Sequence, residues 1–115
     1  MDTKAVLDHH FAAYTAADAD ETLKDYTDQS VLITPDATYK GRQAIHAYFS
    51  DLFSGLFKPG TYDFTLDTLT IEGDVAYVVW HATCATAVIP FATDTWVVHN
   101  GKITTQTYAA KIDPK

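Results

Sequence analysis

Between Asp74 and Ile112 the chain passes through three strand-like segments joined by turns, and this stretch limits the fold more than any other. Val75 to Thr83 reads V-A-Y-V-V-W-H-A-T, Ala92 to Val98 reads A-T-D-T-W-V-V, and Ile103 to Ala110 reads I-T-T-Q-T-Y-A-A. Side chains in a strand alternate faces with period two. Tyr77, Val79, His81 and Thr83 therefore share one face of the first segment, and Ala92, Asp94, Trp96 and Val98 share one face of the second. A bend near Ala85, Thr86 and Ala87 sets His81 opposite Asp94 in an antiparallel hairpin. This pairing predicts an imidazole beside a carboxylate, among aromatics, within a curved sheet: a candidate acid–base pair. The other face of the first segment carries Ala76, Val78, Trp80, Ala82 and Cys84. A face this apolar should not meet water. It is expected to be the outer sheet face, covered by a second subunit in a homodimer.

The rest of the chain supplies helices. Thr3 to Ala17 has helical spacing, with Leu7, Phe11 and Tyr14 on one stripe. Asp18-Ala19-Asp20 ends that helix and can cap a shorter one over Glu21 to Tyr26, with Leu23 and Tyr26 buried. Val31 to Thr34 and Thr38 to Lys40 form a short strand pair around Pro35-Asp36. A third helix runs from Gly41-Arg42 through Leu56, with Ile45, Tyr48, Phe49, Leu52 and Phe53 inward. Tyr62 to Glu72 alternates as a half-buried strand. Asn100-Gly101 is a strong hairpin signal. Three helices followed by long strands predict one α+β domain over residues 1–115, its helices packed on one face of a strongly curved, mostly antiparallel sheet. Such a cone can hold an internal pocket at its open end.

Composition narrows the partners. The formal net charge of −7 disfavours a phosphate backbone and an anionic membrane, so neither nucleic acid nor membrane is expected. No apolar run approaches the length of a membrane span, no signal peptide is visible, and Cys84 is the only cysteine. These features favour the cytoplasm. No His, Cys, Asp or Glu spacing suggests a metal, and no glycine-rich loop suggests phosphate binding, so no cofactor is expected.

Three stretches resemble a known family. They are Phe11-Ala12-Ala13-Tyr14-Thr15-Ala16-Ala17-Asp18, Gly41-Arg42-Gln43-Ala44-Ile45, and Asp94-Thr95-Trp96 followed by Asn100-Gly101-Lys102-Ile103. Together with the element order they resemble the nuclear-transport-factor-2-like superfamily, the cystatin-like α+β cone of SnoaL-like cyclases and ketosteroid isomerases. The resemblance implies a cofactor-independent pocket and, in many members, a dimer. It also implies differences. Phe11 stands where the isomerases place a donor tyrosine, Thr34 where they place the base, and Tyr108 where the cyclases are expected to place an aspartate. Only Asp94 falls where the isomerases have their late aspartic acid. Steroid isomerisation by the isomerases' own mechanism is therefore not expected.

The candidate catalytic residues are His81 and Asp94. Imidazole exchanges a proton near neutrality, and a carboxylate buried among apolar neighbours must find a partner or raise its pKa. Tyr14, Tyr48, Trp96, Gln106 and Tyr108 are the candidate substrate-binding residues, with apolar bodies and polar tips. His9, His10, His46 and His99 are expected to be solvated. The expected function is a small SnoaL-like enzyme performing acid–base chemistry of the isomerase, lyase, hydrolase or cyclase type on an apolar, oxygen-bearing molecule. The alternatives are a binding domain with the same pocket and no turnover, or an association module.

Overall fold

Asp2 sets the start of the first helix, because its side chain accepts from the Ala5 N–H at 2.8 Å. The computed structural model describes residues 2–115, and in it α1 spans Thr3–Thr15. Asp18 caps α2 (Ala19–Leu23) by accepting from the Glu21 N–H at 3.0 Å. Tyr26, expected on that helix, opens β1 (Tyr26–Ile33) instead. The Ile103 N–H donates to the Asp25 carbonyl at 2.7 Å, drawing the chain into the sheet before the helix can extend. β2 (Thr38–Lys40) returns antiparallel to β1. Gly41, at φ 85°, then turns the chain into α3 (Arg42–Ser54). Four long strands follow: β3 (Asp63–Glu72), β4 (Val75–Thr83), β5 (Ala87–His99) and β6 (Lys102–Pro114). Asn100 and Gly101 link the last two, with φ of 51° and 74° as a type I′ turn requires.

The six strands form one open sheet in the order β2-β1-β6-β5-β4-β3. Only the β1–β6 pair is parallel. The domain is thus α+β, with three helices and a mostly antiparallel sheet, as expected. β5 begins earlier than the alternation suggests. Pro90 lies in the bulge between Val88 and Phe91, where its missing N–H interrupts no ladder bond.

Register is where expectation and structure part. Val78, not His81, is the partner of Asp94, a displacement of three residues. The causes are the bulge between Trp80 and Ala82 and the extra paired residues before Ala92. An odd displacement exchanges the two faces of a strand. The helices consequently pack on Ala76, Val78, Trp80 and Ala82, which are buried with Val6, Leu7, Ile45 and Phe49 in the core. This face, with Cys84, was expected to be the outer, dimer-forming one. It is instead the inner face, covered by the chain's own helices. The uncovered face of β4 carries Val75, Tyr77 and His81, all exposed, with half-buried Val79 between them. Among the described residues no helix is long and apolar enough to cross a membrane.

Candidate functional site

The inner face of three adjacent strands meets at one point. Val78 on β4, Asp94 on β5 and Tyr108 on β6 lie side by side. The diagonal neighbours, two residues along each flanking strand, are Trp80 and Gln106, and diagonal pairs remain within reach of long side chains. Both reach the carboxylate. The Trp80 Nε1–H donates to Asp94 Oδ1 at 2.9 Å, and the Gln106 Nε2–H donates to Asp94 Oδ2 at 2.9 Å. The Tyr26 hydroxyl donates to Gln106 Oε1. That bond fixes the amide, keeping its NH₂ turned towards Asp94.

Asp94 is 8% exposed. Burial raises its pKa from 3.8 to about 7, and the two N–H donors moderate the rise. The group is therefore shared between acid and carboxylate at neutrality. Its neighbours determine where the acidic proton points. Trp80 and the Gln106 amide can only donate at these contacts, so neither accepts the proton of the neutral acid, which is left the open space beside Asp94.

That space is a cavity of about 70 Å³ between the helices and the sheet, lined by Asp94, Trp80, Trp96, Gln106 and aromatic residues of α1 and α3. Tyr14 on α1, Tyr48 on α3 and Tyr108 on β6 all line it. Burial holds each phenol protonated, raising Tyr14 and Tyr48 well above the ordinary value and pushing Tyr108 up to about 12, and the nearby Asp94 adds to each rise. No lysine or arginine lines the cavity. It is an apolar space with one titrating acid and three neutral donors, suited to a small uncharged molecule bearing oxygen.

All five expected binding residues, Tyr14, Tyr48, Trp96, Gln106 and Tyr108, line this cavity together with Asp94. His81 does not. It lies on the outer face, where its Nδ1 meets Asp67 Oδ2 at 2.8 Å, and both side chains are well exposed. Thr34 sits in the β1–β2 turn, with its hydroxyl on the Ala37 carbonyl. Exposed ion pairs contribute at most about 1 kcal/mol. His81→Ala is accordingly expected to change stability by under about 0.5 kcal/mol and to leave the Asp94 titration unmoved, which carbon-13 NMR of the carboxyl measures.

Three polar residues of the site were missed in the sequence. Trp80, expected on the outer face, donates to Asp94 and lines the cavity. Tyr26, read as helical, is 1% exposed, and His10, read as solvated, is 3% exposed. His10 lines the cavity within a shell of Phe11, Tyr14, Tyr26, Phe49 and Trp96, at ring-centroid distances of 5.5 to 6.3 Å. Burial, with a smaller contribution from His9, lowers its pKa to about 4, so the ring is neutral at pH 7. Its position was legible: α1 buries Thr3, Val6, Leu7, His10 and Ala13, and residue 10 lies four after Val6 and three after Leu7.

His9 is also held rather than solvated. Its Nδ1 faces Asp25 at 2.7 Å and its Nε2 faces Glu21 at 2.9 Å, bonds that raise its pKa, Glu21 foremost. His46 pairs with Asp20 at the surface, and His99 is exposed, as expected. Cys84 is buried, which pushes its thiol pKa up. Among the described residues no group of three or more His, Cys, Asp or Glu is arranged to hold a metal ion.

Helices on the inner face of an open six-stranded sheet, with a buried acid between them, define a nuclear-transport-factor-2-like α+β domain. The chain belongs to the SnoaL-like domain family, whose model matches residues 7–106. No protein of curated function matches the sequence. Among solved structures, a nuclear-transport-factor-2-like protein of unknown function from Cytophaga hutchinsonii superposes with a TM-score of 0.78 at 11% identity, covering 96% of this chain and 91% of that one. A candidate polyketide cyclase from Sinorhizobium meliloti gives 0.75 at 18% identity, covering 90% and 93%. A candidate ketosteroid isomerase from Kribbella flavida gives 0.77 at 16% identity, covering 95% and 77%. At these identities the likeness shows the fold alone.

Proposed function

We propose that this domain is a small-molecule enzyme of the SnoaL-like type, performing isomerase-, lyase- or cyclase-class proton transfer on an apolar, uncharged, oxygen-bearing substrate. The observation that carries the reading is Asp94, a buried carboxyl at about pKa 7 whose bonded partners among the described residues are both donors, beside a cavity. A general acid or base works best with a pKa near the working pH. The role first assigned to a His81–Asp94 pair passes to Asp94 alone. Tyr14, Tyr48 and Tyr108 supply neutral donors that can hold a carbonyl or enolate oxygen while Asp94 removes or returns a neighbouring proton.

The reading is tested with a simple ketone in heavy water. Cyclohexanone carries one oxygen acceptor and acidic α-hydrogens. Proton NMR should show catalysed α-deuteration by the wild type, reduced about 10²- to 10⁴-fold in Asp94→Asn, the usual contribution of a positioned acid–base group. Binding followed by Trp80 and Trp96 fluorescence should be about tenfold tighter at pH 6 than at pH 8, because the protonated acid donates to the ketone. Binding without exchange would identify a binding domain; no binding at millimolar concentration would remove the cavity as a ligand site.

A second reading rests on the uncovered sheet face. Tyr77, Val79, Thr93, Thr95, Thr107 and Ala109 lie side by side across β4, β5 and β6, with no charge among them. We propose self-association through this face rather than through the one the sequence suggested. Tyr77→Glu should then halve the mass measured by light scattering, and an unchanged mass would exclude this interface.

A further inference from the structure

Two buried nitrogens of the cavity wall lack hydrogen-bond partners: His10 Nδ1 and Trp96 Nε1. The two rings are neighbours, with centroids 5.5 Å apart, and both residues line the cavity. The Trp96 N–H lies near the Tyr26 hydroxyl but outside hydrogen-bond geometry. Buried polar groups are nearly always paired, and an unpaired one calls for a ligand, a water or a strained role. Five aromatic residues enclose His10, and its Nδ1 is within hydrogen-bond geometry of none of their polar tips.

We propose that His10 and Trp96 form a second oxygen-binding station of the cavity, which holds a hydroxyl of a neutral ligand whose other oxygen meets Asp94. This rests on the reading of the cavity as a ligand site and adds to it the substrate class: a dioxygenated apolar molecule such as a diol, hydroxyketone or polyphenol. The chemistry of the imidazole selects the hydroxyl. A neutral ring has one N–H and one lone pair, and which nitrogen carries the proton depends on what it meets. A hydroxyl both donates and accepts, so it satisfies either tautomer. A carboxylate or phosphate is disfavoured, because no lysine or arginine lines the cavity to balance it. The Trp96 N–H supplies a further donor to the same oxygen.

The station is separate from the Asp94 centre. Asp94 is held by Trp80 and Gln106, and neither of these bonds involves His10. A ligand can therefore occupy one station without the other, and this separates the present inference from the reading on which it rests.

The experiment uses phenol and the three benzenediols as probes, with affinity measured by tryptophan fluorescence in the wild type and in His10→Phe. At least one benzenediol should bind about tenfold more tightly than phenol to the wild type, and the diol-to-phenol ratio should fall to about one in the variant. Nitrogen-15 NMR of the wild type should show the His10 ring signals moving with that diol and not with phenol, a readout that needs no variant. A ratio near one in the wild type, or an advantage that survives in His10→Phe, overturns the second station while leaving the cavity reading intact. Failure of phenol and every diol to bind overturns both. His10→Phe should also raise the melting temperature, since the apolar ring removes an unpaired buried nitrogen. A fall, together with silent ring signals, would mark His10 as a structural residue and overturn the assignment.

Discussion

Asp94→Asn should make this domain more stable at pH 8 while removing its capacity to move a proton. In the folded state the carboxyl titrates at about 7, against an ordinary value of 3.8. Below pH 3.8 both folded and unfolded chains hold the proton. Between 3.8 and about 7 only the folded chain holds it, so the Asp94 contribution to stability falls as pH rises through this window and then levels off. The whole window is worth about 4 kcal/mol at 1.36 kcal/mol per pH unit. Asparagine does not ionise and escapes this loss. It also cannot accept from both Trp80 and Gln106, since its NH₂ must face one of those donors, and an unmet buried donor costs about 1–3 kcal/mol. The two effects leave a net gain of about 1–3 kcal/mol at pH 8. Near pH 4 the balance reverses, because the wild-type acid is already neutral and better bonded. Urea unfolding at pH 4, 6 and 8 measures this crossing. Parallel wild-type and variant curves would mean that Asp94 titrates near its ordinary value, and the proposed acid–base role would fail with it.

How much of this was legible depends on what each local signal encodes. Asn100-Gly101 specified its own turn because both residues tolerate positive φ. Asp18 announced the start of α2 because a short acceptor at an N-cap meets free N–H groups. Asp94 was conspicuous as the lone carboxylate in an apolar strand, and its burial follows from that pattern. The partner of Asp94 was not legible. Alternation places residues on two faces but does not say which face is covered, and one miscounted bulge exchanges them. Val88, Pro90 and Phe91 look like a loop because proline is rare within a sheet, yet they lie in or beside an irregular part of β5. Each uncounted residue there shifted the expected partner of Asp94, and the error carried His81 into the cavity and Trp80 out of it. His10 was lost differently. A stripe drawn through Leu7, Phe11 and Tyr14 is rotated by one position from the face α1 buries, and one position on a helix is about 100°.

His10→Phe should uncover a pH dependence that the wild type conceals. The folded-state pKa of His10 is about 4, against an ordinary value of 6.5. Between those values the unfolded chain takes up a proton that the buried ring refuses, so the wild type loses stability as pH falls through this window. The loss is about 3 kcal/mol across the window. Over almost the same range Asp94 acts with opposite sign, since its stabilisation grows as pH falls from about 7 to 3.8. The two contributions largely cancel, and their sum in the wild type should be nearly flat between pH 4 and 6.5. His9, raised by Glu21 and Asp25, and Asp25, raised by burial, are shifted as well. Both are common to all the variants, so differences between variants remove most of their contribution, the coupling of His9 to its neighbour His10 apart. His10→Phe should therefore leave the Asp94 limb alone, with stability falling as pH rises from 4 to about 7. Asp94→Asn should leave the His10 limb alone, with stability falling as pH drops below 6.5. The double variant should lose both limbs. Thermal unfolding of the four proteins from pH 4 to 8 measures the set. Slopes of the same sign in the two single variants would show that the opposed titrations are not the source of the wild-type profile.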